Sequence, residues 1–349
     1  MELDGMEYNH IEYKKPFFKV KSGLKSHLEN YSRWSDLPIS YQDLTHYQDL
    51  APVLDQAGNP TLWYSAIYRP TDLEMLQEEL TKIYELLVAD GTRIPYLTIV
   101  AIEFCSFGNS KPFRIKVKND INDNHDYFYI KRIDASRIYG LELEEIFSPD
   151  KISFLTSADT LVEEHIVGIP CDEFILKNEN VKIANRLRFA KEFVKFNERC
   201  YSRLLGDMRA YNFVVEITQD FDNVQYRLRA IDFDQQSFEG KRTIYLPQYF
   251  KDNKSLVDLA TELLSPEIAQ QYMKEERVAM RKRYVSARRR TRSLLKTMRK
   301  DKISTPENIA QLGSELAKYH QIDQFKLFDN MGDMLTLHLE LQLGIKIFK

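Results

Sequence analysis

Residues 204–215, Leu204-Leu205-Gly206-Asp207-Met208-Arg209-Ala210-Tyr211-Asn212-Phe213-Val214-Val215, and residues 229–234, Arg229-Ala230-Ile231-Asp232-Phe233-Asp234, decide how the rest of this chain is read. Two apolar runs, 213–217 and 226–231, flank a turn-rich stretch at 218–223 and predict a strand hairpin. Such a hairpin is a rigid frame that holds the loop before its first strand close to the residues after its second. Asp207 and Asn212 lie in that loop, and Asp232 and Asp234 follow the second strand. By composition alone both runs also read as a loop and a strand end, because Asp and Asn are common turn residues.

The order of Asp207, Asn212 five residues on, a hairpin and then Asp232 resembles the catalytic loop and metal-binding segment of the protein-kinase-like superfamily. Gly206 before Asp207 is similar to the His-Gly-Asp form of the aminoglycoside and choline kinase branch rather than to the Arg of protein kinases. The resemblance implies that Asp207 orients an acceptor hydroxyl and accepts its proton. It implies that Asn212 and Asp232 supply hard oxygen ligands to Mg²⁺ against the phosphates of ATP. Asp234 either assists at the metal or caps a turn. Two departures stand out: Leu205 replaces the usual His, and Asp234 rather than Gly follows Asp232-Phe233. No Ala-Pro-Glu segment lies downstream, so a phosphorylation-switched activation loop is not expected.

Upstream, residues 96–104 and 113–118 read as strands joined by 105–112, and 127–133 as a third. A helix over 135–147 and two short strands, 152–156 and 160–166, follow. The resemblance then implies a bilobal α+β fold of the protein-kinase-like kind. Its nucleotide-binding lobe would span 93–167, with a five-stranded antiparallel sheet and one helix. A mainly helical catalytic and substrate-binding lobe would span 168–349, and an N-terminal extension over 1–92 would end in a helix. In that extension, residues 1–70 show no sustained period and read as an irregular cover. Thr71 reads as an N-cap ahead of Leu73, Leu76, Leu80, Ile83 and Leu87 at helical spacing, with Gly91 closing the helix.

Lys131, a lone lysine in an apolar strand, takes the place of the lysine that binds the α and β phosphates; by itself it reads as an exposed strand lysine. The resemblance asks for a glutamate partner on the next helix. Glu145 shares a helical face with Ile138 and Leu141 and is the first choice, with Glu142 second, although both also read as solvated helix charges. Ser106, Gly108, Asn109 and Ser110 fill the phosphate-covering turn with a single glycine, and equally read as an ordinary hairpin turn. Glu164, His165 and Ile166 take the place of the hinge whose backbone pairs with adenine. His165 on its own reads as a surface histidine.

At 349 residues with 43% hydrophobic and 29% charged content, the chain is long and apolar enough for a sizeable core and is not a disordered or fibrous sequence. Cys105, Cys171 and Cys200 lie far apart without a CxxC pair, which argues against a disulfide framework or a zinc site. No apolar signal core opens the sequence and no run of about 18 apolar residues follows, so a cytoplasmic protein without a transmembrane segment is expected. The net charge of −3 conceals residues 274–302, where thirteen Lys or Arg oppose Glu275, Glu276 and Asp301. This stretch, with Arg288-Arg289-Arg290-Thr291-Arg292, reads as a solvated helical face or as a contact for an acidic partner, nucleic acid or anionic membrane.

Three functions are therefore in view. The first is an ATP- and Mg²⁺-dependent phosphotransferase acting on a hydroxyl of a small-molecule acceptor. The second is a catalytically silent kinase-like protein that binds nucleotide or a partner, and the third is an adaptor built on the basic helix.

Overall fold

The computed structural model describes residues 15–177, 183–220 and 223–348. The chain divides into two compact units. A sheet unit takes in the described residues through Phe17, together with Ser32–Ile133 and Ser153–His165. A helical unit takes in Phe18–Tyr31, Asp134–Ile152 and the chain from Ile166 onward. Sequence had drawn its lines at 92/93 and 167/168; the units divide the chain otherwise, and the helix after the third expected strand belongs to the helical unit.

Ahead of the first strand come α1 (Ser22–Asn30), which belongs to the helical unit, and the single turn α2 (Tyr41–Leu44) of the sheet unit. The sheet unit then builds β1 (Asp49–Leu54), β2 (Pro60–Ile67), α3 (Pro70–Ala89), β3 (Leu97–Cys105), β4 (Phe113–Asn119), β5 (His125–Arg132), β6 (Phe154–Thr156) and β7 (Thr160–Glu164). These form a seven-stranded sheet in the order β1-β2-β3-β4-β5-β7-β6, with antiparallel pairing throughout. The five expected strands are all present, but the expected five-stranded sheet gains two from the region read as irregular. The hairpin β1–β2 escaped detection because it is an edge element, half-exposed along both strands, and so lacks a clean two-residue alternation.

Helix α3 covers one face of this sheet. Its Leu76, Leu80, Ile83 and Leu87 recur at helical spacing and pack with Ile99, Ile102, Phe113, Ile115, Phe128 and Ile130. Pro70 occupies the first turn, after Arg69 as N-cap, so the helix starts a residue before the Thr71 cap expected. Along β5, Phe128 and Ile130 enter this core, so the pleat turns Tyr127, Tyr129 and Lys131 to the opposite face.

The helical unit contains α4 (Ala135–Phe147), α5 (Cys171–Lys177), α6 (Ile183–Arg203), α7 (Lys254–Leu263), α8 (Pro266–Ser286), α9 (Arg288–Met298), α10 (Pro306–His320) and α11 (Met331–Leu343), together with α1. A small sheet of β8 (Ile169–Pro170), β9 (Phe213–Asp220) and β10 (Asn223–Ala230) runs in the order β10-β9-β8. The expected hairpin is β9–β10, paired from Phe213↔Ala230 outward. Helix α11 crosses the end of α9 so closely that a Cβ on Gly332 would stand 2.3 Å from the Arg299 nitrogen, which only glycine allows. Among the described residues no helix is long and apolar enough to cross a membrane.

Candidate functional site

The hairpin end of the helical unit gathers the polar residues on which the sequence reading turned. The Ile231 N–H donates to the Asn212 carbonyl at 3.0 Å, which continues the β9–β10 ladder by one pair and fixes Asn212 beside the segment leading to Asp232. Asn212 in turn donates its Nδ2 to the Asp207 carbonyl at 2.7 Å, so its amide oxygen is the atom left to accept a donor or a cation. Asp207 itself has φ of 57°, a left-handed conformation that Asp tolerates better than most residues, and its N–H donates to Ile244 O at 3.2 Å. Its Oδ1 accepts from Arg209 Nε at 2.9 Å, while Arg209 Nη1 reaches Asp252 Oδ2 at 2.9 Å. Partial burial works against the Arg209 charge, but the Asp207 carboxylate outweighs it and holds the guanidinium above its ordinary value. Buried Asn253 ties the loop down by donating to Met208 O and Pro247 O.

Two residues around this loop are explained by packing. Leu205, where the resemblance expects His, is fully buried and bridges Gln236. Gly206 has Gln235 O and Ile244 Cγ2 each 3.1 Å from where a Cβ would stand, so a larger residue would have to push these neighbours back by a few tenths of an ångström.

Sequence reasoning missed Arg137. Carried by the first turn of α4 and buried, it donates Nη1 to Asp232 Oδ1 and to Asp234 Oδ1, each at 2.9 Å. The Asp232 carboxylate also accepts the Asp234 N–H at 3.0 Å, yet its side chain stays 34% exposed while that of Asp234 is 12% exposed. An amide oxygen, a solvent-reachable carboxylate and a second carboxylate nearby are hard ligands of the kind Mg²⁺ takes alongside water and phosphate oxygens. Among the described residues no group of three or more His, Cys, Asp or Glu is placed to hold a metal unaided. Asn212 and Asp232 are the residues that could hold a cation here, with Asp232 Oδ1 and Asp234 Oδ1 both accepting from Arg137.

In the sheet unit Lys131 is buried, and its Nζ donates to Glu163 Oε2 at 2.6 Å. Glu163 stands opposite Tyr129 on β7, which places the pair diagonally on the polar face of the sheet. Beside it Arg114 Nε donates to Glu103 Oε2 at 2.6 Å and stacks over Trp63 with its guanidinium 4.2 Å from the ring centre. The exposed reading of Lys131 is therefore overturned, and the carboxylate that meets it within its unit is Glu163 on a strand. Alternation in Tyr127-Phe128-Tyr129-Ile130-Lys131 was the available signal for this face.

The helix glutamates have cations of their own in the helical unit. Glu142, fully buried, accepts from Arg290 Nε at 2.8 Å, Arg290 Nη2 at 2.6 Å and His27 Nε2 at 2.9 Å. Burial pushes its carboxyl up, but these bonds more than reverse the effect and hold it at about 2. Glu144 meets Arg203, and Glu145 has Lys151 and Arg290 each at 3.6 Å. Solvated-charge readings of Glu142 and Glu145 are thus corrected: both are interior ion-pair residues.

Ser106, Gly108, Asn109 and Ser110 form the β3–β4 turn. Gly108 has φ of 86°, and Asn109 Nδ2 donates to Lys15 O at 3.4 Å. At the candidate hinge the N–H groups of Glu164 and His165 donate to Ser153 O and Tyr127 O. Ile166, the first residue of the helical unit after this crossing, has no such backbone partner among the described residues. His165 is half-buried rather than a surface residue; its Nδ1 is 3.0 Å from Tyr129 Oη, and burial lowers its pKa.

Several cations of the basic segment are spent inside the unit. Arg277 pairs with Glu198, Arg283 with Glu276, Arg290 with Glu142 and Arg299 with Asp333. No protein-family model matches the chain, and no curated protein matches its sequence.

Proposed function

We propose that this chain is an ATP- and Mg²⁺-dependent phosphotransferase of bilobal protein-kinase-like fold that passes a γ-phosphoryl group to a hydroxyl of a small-molecule acceptor. The observation that carries the reading is the end of the β9–β10 hairpin, where Asp207, Asn212 and the Asp232 segment are joined through the Asn212 amide and the Ile231 N–H. Asp207 would orient the acceptor and take its proton, held in position by Arg209. Asn212 and Asp232 would hold Mg²⁺, which offsets phosphate charge when bound. Lys131, steadied by Glu163, would meet the phosphates, with Ser106, Gly108, Asn109 and Ser110 covering them. Ile166 is the hinge residue best suited to offer a backbone donor to adenine. Three free, buried cysteines support a cytoplasmic setting.

Asp232→Ala tests the metal assignment. Mg²⁺-dependent ATP binding, followed by calorimetry on the folded variant, should be lost while the circular dichroism spectrum is kept. Unchanged Mg²⁺-ATP affinity would remove Asp232 from the site.

A second reading, a catalytically silent binder of nucleotide or partner, is favoured by the Arg137 contacts to Asp232 and Asp234, which place a fixed cation where a metal would go. ATP affinity that is identical with Mg²⁺ and with excess chelator would support it. An adaptor function for residues 274–302 has less behind it, since Arg277, Arg283, Arg290 and Arg299 are already paired.

A further inference from the structure

Three of the four remaining arginines of that basic stretch, Arg281, Arg288 and Arg292, gather around a cavity of about 520 Å³ in the helical unit, between the α8–α9 junction and the end of α11. Arg281, Arg288 and Arg292 line one side, and Lys346 with Glu340 the other. Neither Arg281 nor Arg288, both exposed, has a carboxylate partner among the described residues, whereas Arg277, Arg283, Arg290 and Arg299 each have one. Glu340 does not neutralise them: its Oε2 meets Lys346 Nζ at 3.2 Å and its Oε1 accepts the Ile347 N–H at 2.6 Å. Arg292 donates Nε to Ile347 O at 2.6 Å, which fixes its guanidinium while leaving its two terminal nitrogens. Four cations against one committed carboxylate make a concave site whose field attracts anions. Tyr284, Val285 and Leu341 add an aromatic and apolar wall.

We propose that this cavity binds an organic phosphate, its phosphoryl oxygens held by Arg281, Arg288 and Arg292 and its carbon part against Tyr284, Val285 and Leu341. The guanidinium fork matches phosphate oxygens in pairs, which a scatter of lysines would not do. A volume of this size suits a small molecule or a single headgroup rather than a nucleic-acid strand. None of Asp207, Asn212, Asp232 or Lys131 lines it, so it is separate from the candidate phosphotransfer residues and does not depend on them.

The full chain should be titrated with inorganic pyrophosphate and with glucose 6-phosphate by calorimetry, and with vesicles containing phosphatidylinositol 4-phosphate by sedimentation. Saturable binding of the soluble phosphates in the submillimolar range, weakened at least about tenfold in Arg281→Ala/Arg288→Ala and unchanged in Arg289→Ala, is the expected result. Arg289 is exposed and does not line the cavity, so it controls for general loss of charge. Vesicle binding with the same sensitivity, and no response to the soluble phosphates, would assign the phosphate to a lipid headgroup. Absence of binding to either, or equal binding by the double variant and wild type, would overturn the proposal. Equal sensitivity to all three arginines would reduce the site to nonspecific charge and overturn it as well.

Discussion

A histidine between a carbonyl and a second histidine has its protons assigned by what its neighbours accept. His338 Nε2 lies 3.0 Å from Tyr201 O and its Nδ1 lies 2.9 Å from His320 Nε2. A carbonyl only accepts, so Nε2 of His338 carries the hydrogen; in the neutral ring Nδ1 then accepts from His320 Nε2–H. Burial, then the neighbouring His320, with Arg277 and Arg242 nearby, lowers the His338 pKa to about 3 from 6.5. The unfolded chain gains a proton here as pH falls below 6.5, and the folded chain gains it only near 3. Stability from this group is therefore complete above 6.5 and erodes on acidification by roughly 1.4 kcal/mol per pH unit. Urea unfolding from pH 7 down to about 4 should show this slope and a shallower one in His338→Gln; identical slopes would contradict the assignment. At the same scale lie the contacts that sequence did not disclose. Arg137 is 95 positions from Asp232 and Lys131 is 32 from Glu163, and no local pattern joins such pairs.

Helix α4 shows why an element can be legible while its facing is not. Its expected span of 135–147 is the span observed, and the Asp134 side chain caps it by accepting the Ser136 N–H. Twelve of its residues are buried, which leaves no solvent face for periodicity to reveal, so ranking Glu145 over Glu142 by helical face had little to work on. One of its ion pairs, between fully buried Glu142 and Arg290, is bidentate. Arg290→Ala would leave the Glu142 carboxylate buried with His27 alone, and should cost about 3–5 kcal/mol in denaturant unfolding. A loss below about 1 kcal/mol would mean that His27 and water suffice. The hairpin β9–β10, by contrast, was read correctly because its two apolar runs and turn are contiguous.

Over the whole molecule, the α+β class and the strands β3 to β7 followed from alternation and punctuation in the sequence, while β1 and β2 did not, because the half-exposed strands of this terminal hairpin carry no such contrast. Charge followed a similar rule. The basic stretch at 274–302 reads as a solvated helical face or as a contact for an external acidic partner, yet Glu142, Glu198, Glu276 and Asp333 of the same unit meet four of its arginines. Asp207, Asn212 and Asp232 could be singled out because they lie around one hairpin in the sequence, whereas the contacts of Arg137 with Asp232 and of Lys131 with Glu163 could not, because they join residues far apart along the chain.

The central claim, that this is a phosphotransferase with Asp207 at the acceptor, is tested most directly by comparing wild type and Asp207→Asn. Purified protein would be assayed for ATP turnover against pooled sugars, amino alcohols and nucleosides, with Mg²⁺-ATP affinity measured in parallel. The substitution keeps the shape of the side chain and removes the proton acceptor, so turnover should fall by about two to four orders of magnitude while nucleotide affinity changes little. Equal turnover by the two proteins, or a wild type that binds Mg²⁺-ATP and transfers its phosphoryl group to no acceptor, would contradict the claim.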